Sequence, residues 1–194
     1  MNLCGHATLA TAFIFFEELG YEGDVLRFQT KSGELTVEKH NHMYMLNFPA
    51  RYAEITSDYP QQMLEALDCT PAEILKYNND FIVVVKTQKE VEHLQPDHAM
   101  LRSSGIRAVG VTAVGDEVDF VSRFFAPGSG VDEDPVTGSI HTLLIPYWSE
   151  KLNKQTFYAR QLSQRGGTLK CKLNGDRVEI GGAAKLFLKG EIYI

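Results

Sequence analysis

Apolar positions near the start of the chain recur at helical spacing. Leu9, Ala12, Phe13 and Phe16 fall on one face, and Gly20 stands where such a helix ends. Three alternating runs follow, over residues 25–30, 34–40 and 42–48, with Ser32-Gly33 and His40-Asn41 between them, and these predict strands. The same succession returns later. A helix is predicted over 138–151, then strands over 156–162, 168–173 and 177–180, with turns at Gly166-Gly167 and Asn174-Gly175. The two copies keep register: Gly5 answers to Gly138, Gly33 to Gly167 and Leu35 to Leu169. A helix followed by three strands, repeated in phase, points to duplication.

The intervening segment reads as a buried strand over 80–86, a helical stretch over 90–102 broken at Pro96, and strands over 107–113 and 118–125. Residues 60–77 read as a helical connector, with Pro71 opening a second short turn. The predicted division is therefore a first unit over 1–72, connector included, and a second over 73–194. The second copy has strands ahead of its helix, whereas only Met1-Asn2-Leu3-Cys4 precede Gly5. The first unit is expected to be incomplete and to expose unpaired strand edges, which favour pairing with another copy.

Composition narrows the class. The 194 residues are 44% apolar and 23% charged, which is ordinary for a globular protein. The formal net charge of −6, with no cluster of Lys or Arg, argues against nucleic acid or an anionic membrane as partner. Cys4, Cys69 and Cys171 are isolated from one another, which suits a reducing compartment better than a disulfide framework or zinc site. The apolar run over 7–16 has no basic flank before it and Glu17-Glu18 after it, unlike a secretion signal, and it is too short to span a bilayer. A cytoplasmic protein is expected.

The chemistry concentrates at the two predicted helix starts. A helix N-terminus leaves its first N–H groups unpartnered and carries the positive end of the dipole. Glycine there lets a ligand come close to the backbone. Gly5-His6 and Gly138-Ser139 are thus two cradles for a carboxylate or phosphate. Asp134 and Thr137 precede the second helix, and either is able to cap it. Asp132 and Glu133 read as a solvated acidic loop, since the spacing of a calcium loop is absent. His6 and His141 sit near the two starts as donors or as packed side chains. Trp148 is assigned to the core, and no nucleotide, flavin or metal signature occurs, so no cofactor or metal is expected.

These residues carry a resemblance. Leu3-Cys4-Gly5-His6-Ala7-Thr8, Ser122-Arg123-Phe124-Phe125-Ala126-Pro127 and Glu133-Asp134-Pro135-Val136-Thr137-Gly138-Ser139-Ile140-His141 resemble motifs of the phenazine-biosynthesis PhzF-like family. Gln161-Leu162-Ser163-Gln164-Arg165-Gly166-Gly167 fits its tail. The resemblance implies an α+β, diaminopimelate-epimerase-like fold of two similar units, each a curved, mostly antiparallel sheet around a central helix, with the site between them. It also implies a cofactor-free isomerase that works by general acid–base proton transfer on a small carboxylate-bearing molecule, and a homodimer. By that likeness Asp134 and Ser139 occupy catalytic positions, and Cys4, Gly5, His6, Thr137 and Gly138 line the substrate. The family's proton-shuttling Glu belongs to a pattern that places it one residue before Met1, so activity of the 194-residue chain is expected to be impaired.

Two other readings compete. One is a non-catalytic remnant that binds a small acid. The other, ranked lower, is a racemase with one thiol on each side of the substrate, for which Cys4 supplies one half and Ser139 stands where the second thiol belongs.

Overall fold

The computed structural model describes residues 5–30 and 33–192. Helix α1 spans Gly5–Glu17 and is followed by strands β1 (Val25–Thr30), β2 (Gly33–His40) and β3 (Met43–Pro49). After the short β4 (Glu54–Ile55) come α2 (Gln61–Leu67), β5 (Glu73–Tyr77) and β6 (Asp80–Val84). Helices α3 (Gln88–Glu92) and α4 (His98–Ser103) lead to β7 (Ala108–Val114) and β8 (Phe120–Phe125). The long α5 (Gly138–Leu152) and strands β9 (Thr156–Gln161), β10 (Gly167–Asn174) and β11 (Arg177–Gly182) complete the order.

All strands join one sheet in the order β1-β2-β3-β11-β10-β9-β8-β7-β6-β5-β4. Every pairing is antiparallel except β6 with β7 and β8 with β9. The predicted repeats therefore abut: β3 pairs with β11, with Leu46 opposite Ile180 and Phe48 opposite Val178. Period-two patterning explains which side is buried. Leu35 and Val37 of β2, Tyr44, Leu46 and Phe48 of β3, and Val178 and Ile180 of β11 share one core with α1 and α5. The strand β6 is buried on both faces. Ile82 and Val84 enter that core, while Phe81 and Val83 enter a second one roofed by α2, α3 and α4.

The long helix sits against the inner face of the sheet, and its residues from Ile140 to Pro146 and Trp148 are buried. Trp148 is core, as expected, and its indole N–H donates to Thr112 Oγ1 at 3.0 Å. A proline inside a helix leaves the carbonyl four residues earlier without its usual donor. Here Pro146 leaves Thr142, and the Arg51 N–H, arriving from beyond β3, donates to that carbonyl at 3.0 Å.

The connector departs from expectation. Residues 60–77 were expected to be helical, and α2 is, but residues 73–77 form β5. Ile74 and Leu75 alternate between the two cores, and Asn78, at φ 56°, turns the chain so that Tyr77 pairs with Asp80 of β6. Partnership with β6 decides the conformation there, which is why local propensity misreads it. The second expected turn also shifts by one residue. Asn174 pairs with Arg177, so Gly175-Asp176 forms the loop, with Gly175 at φ 60°. Among the described residues no helix is long and apolar enough to cross a membrane.

Candidate active site

The two glycine-led helix starts meet. A Cβ built on Gly5 would stand 3.5 Å from the Cα of Gly138, and one on Gly138 would stand 3.6 Å from the Cα of Gly5. The ring of Phe48, wholly buried at the end of β3, lies beneath both. No reading of the sequence singled out Phe48, because its place is set by the pairing of β3 with β11. Thr137 is the N-cap residue of α5, extended at φ −121°, yet its side chain makes no cap hydrogen bond. The first N–H groups of α5 thus keep their donor capacity, and two positive helix ends converge on one point.

The turn ahead of α5 is heavily tied. The Asp134 N–H donates to the Phe124 carbonyl at 3.0 Å. The Thr137 hydroxyl donates to Asp134 Oδ2. Gln161, wholly buried at the end of β9, accepts from the Thr137 N–H at 2.9 Å and donates to the Asp134 carbonyl at 2.7 Å and to Thr137 Oγ1 at 3.1 Å. Ser163 Oγ donates to the Pro135 carbonyl at 2.8 Å, and Gly167 has no room for a Cβ against Val136, which would approach to 2.3 Å. Gln161 had no assigned role in the sequence reading. A polar residue that follows Phe157 and Ala159 on the buried face of β9 is its signal, and only the fold shows what it meets.

The expected solvated acidic loop is corrected at Glu133. Its carboxylate forms a two-pronged ion pair with Arg123, at 2.6 and 2.9 Å, and both side chains are largely buried. Arg123 also donates to the Leu94 carbonyl at 2.7 Å, which anchors the loop to the second core. Asp132 pairs with Arg102 at the surface.

The two histidines separate. His6 is exposed at the start of α1. His141 is fully buried in α5, and its Nδ1 lies 2.7 Å from the Thr137 carbonyl. That carbonyl only accepts, so Nδ1 carries the proton and Nε2 is left without a partner among the described residues. Burial pushes its pKa down to about 4, against a partial opposing effect of the Thr137 bond. His141 is a packed residue here, not a donor to a ligand.

Ser139 is half-buried beside Gly138. Cys4 lies outside the described residues. Cys171 is buried in β10 with its pKa pushed up by desolvation, and Cys69, just past α2, is pushed up to about 11 for the same reason. Neither thiol has the character of a reactive thiolate. Among the described residues no group of His, Cys, Asp or Glu is arranged to hold a metal. Two surface hollows lie elsewhere. One of about 350 Å³ is lined by Tyr52, Ile55, Glu73, Tyr147 and Lys151. The other, about 490 Å³, is lined by Arg27, Glu34, Asn47 and Arg177. In the first Lys151 pairs with Glu73, and in the second Arg27 pairs with Glu34 while Arg177 donates to the Asn47 carbonyl.

An α+β fold in which two helix starts meet at paired glycines beside an anchored carboxylate defines a class, and comparison identifies the family. The sequence profile of the PhzC-PhzF family, phenazine biosynthesis-like protein, matches residues 1–190, and the chain belongs to that family. A protein of Pseudomonas aeruginosa named an uncharacterized isomerase is 45% identical over 194 residues, which is all of this chain and 74% of the relative. The crystal structure of a PhzF-family phenazine biosynthesis protein from Enterococcus faecalis superposes with a TM-score of 0.93 at 44% identity, covering 100% of this chain and 74% of that one. A hydroxyproline epimerase from Agrobacterium vitis shares the fold at a TM-score of 0.50 and 11% identity, over 92% of this chain and 63% of that one. The fold is the diaminopimelate-epimerase-like one.

Proposed function

We propose that the protein is a cofactor-independent isomerase that moves a proton on a small carboxylate-bearing metabolite. The observation that carries this reading is the close approach of Gly5 and Gly138, which brings two helix starts, that of α5 without a side-chain cap, to one point. A carboxylate bound there meets backbone N–H groups from both helices, each contact contributing roughly 0.3–2 kcal/mol. The division at residue 72 gives each unit one of those helices. Asp134 supplies the acid–base carboxylate, Ser139 a hydroxyl that steadies developing charge, and Gly5, His6, Thr137 and Gly138 line the bound acid, with Cys4 next to them in sequence. The name isomerase carried by the Pseudomonas relative supports the class. A cytoplasmic homodimer acting without metal or cofactor fits the acidic, cysteine-poor composition.

The alternative of a site that binds acids without turning them over is separated by one experiment. The protein is incubated in D2O with a panel of small amino, hydroxy and unsaturated acids, and C–H loss is followed by proton NMR. An active protein washes in deuterium, and Asp134→Asn slows it about 10²–10⁴-fold, the usual contribution of a positioned acid–base group. Binding without exchange, in the wild type, would favour the non-catalytic reading.

A further inference from the structure

The turn before α5 contains two backbone groups whose hydrogen-bonding sense is not reversible. The Thr137 N–H only donates, and the Asp134 carbonyl only accepts. The Gln161 side chain meets both, at 2.9 and 2.7 Å. Its oxygen must therefore face Thr137 and its nitrogen must face Asp134, so donor and acceptor chemistry fixes the amide orientation. The nitrogen has a second hydrogen, directed at Thr137 Oγ1 at 3.1 Å. A hydroxyl that accepts from Gln161 directs its own proton elsewhere, and that proton goes to Asp134 Oδ2.

Resting on the proposed isomerase reading of this site, we infer that Gln161 is a positioning residue that fixes the direction of the chain Gln161 to Thr137 to Asp134. Asp134 is thereby held as an acceptor at Oδ2, with Oδ1 unengaged among the described residues. Any proton that Asp134 exchanges with a ligand then passes through Oδ1, from or to an ammonium, a hydroxyl or an acidified C–H beside the carboxylate held at the helix starts.

The arrangement forgoes something a structural turn would keep. A Thr at the N-cap ordinarily accepts from an N–H of the first helical turn, which stabilises the helix. Thr137 is at that position and makes no such bond. Its hydroxyl is spent on Asp134, and an amide with no exposed surface holds it there. Burying an amide is costly unless its groups are satisfied. Among the described residues Gln161 satisfies its own through this turn, so side chain and turn specify one another.

The test reads the protein without substrate. In ¹³C-labelled protein the Thr137 hydroxyl proton exchanges slowly, and the Asp134 carboxyl carbon shows an isotope shift when that proton is replaced by deuterium. Gln161→Met, which keeps length but has no N–H, loses the slow hydroxyl signal and the isotope shift. Thr137→Ser retains both, while Thr137→Val removes them. If Gln161→Met does not fold, Gln161→Glu, which keeps the shape and an acceptor for the Thr137 N–H but has no N–H to direct the hydroxyl, decides the matter by the same two signals. An isotope shift that survives in folded Gln161→Met, or an Asp134 carboxyl resonance that ignores hydroxyl deuteration in the wild type, overturns the proposal. Failure to exchange a proton on any acid, with this signature intact, sinks the isomerase reading alone.

Discussion

Gly5 and Gly138 face each other with room for little more than a methyl group between them, although most of the sequence separates them. Their contacts, 3.5 and 3.6 Å from a built Cβ to the opposing Cα, are ordinary van der Waals distances. Space for one methyl group therefore exists in the fold, and what that methyl would occupy is the approach to the helix starts.

Gly138→Ala is accordingly expected to fold with a melting temperature near that of the parent, since Ala is the better helix former by about 0.5–1 kcal/mol. Its affinity for a simple carboxylate probe such as benzoate, read from backbone amide shifts, should fall at least several-fold. Unchanged benzoate binding would remove the paired helix starts from the site.

Arg51 lies outside every helix and strand, yet its N–H donates at 3.0 Å to the Thr142 carbonyl left open by Pro146. Its amide should exchange with solvent as slowly as those of β3, in a hydrogen-exchange measurement. Exchange as fast as a loop amide would show that the bond does not persist.

Glu133 and Asp132 are neighbours with unequal weight. Removing Glu133 strands the largely buried Arg123, so Glu133→Ala should cost about 3 kcal/mol in urea unfolding. Asp132→Ala removes an exposed pair with Arg102 and should cost below about 1 kcal/mol. Equal losses would contradict the assignment of Glu133 as the loop's anchor.

His141 makes stability depend on pH. Its folded pKa, about 4, lies below the ordinary 6.5, so the unfolded chain binds the proton more readily. Stability is complete above pH 6.5 and declines as the pH falls toward 4, by up to about 3 kcal/mol. Urea midpoints between pH 7 and 5 test this before most carboxylates titrate. His141→Gln should flatten that slope, and a slope that survives the substitution would place its origin elsewhere.

The sequence alone was enough for α1, α5 and most strands, because helical and two-residue periodicities are local properties that burial afterwards rewards. It also showed that two glycine-led helices are related, since the spacing of Gly5, Gly33 and Leu35 recurs at Gly138, Gly167 and Leu169. It could not show β5, whose residues extend only because β6 offers them a partner. Nor could it tell His141 from a ligand donor, or Glu133 from a solvated acid, because β8 supplies both the Phe120 ring packed on His141 and the Arg123 that pairs with Glu133. The placement of Gln161 against Asp134 and Thr137 is likewise tertiary. Periodicity determines which face of an element is apolar, whereas hydrogen-bond partners distant in sequence are set only when the sheet closes β9 beside β8 and β3 beside β11.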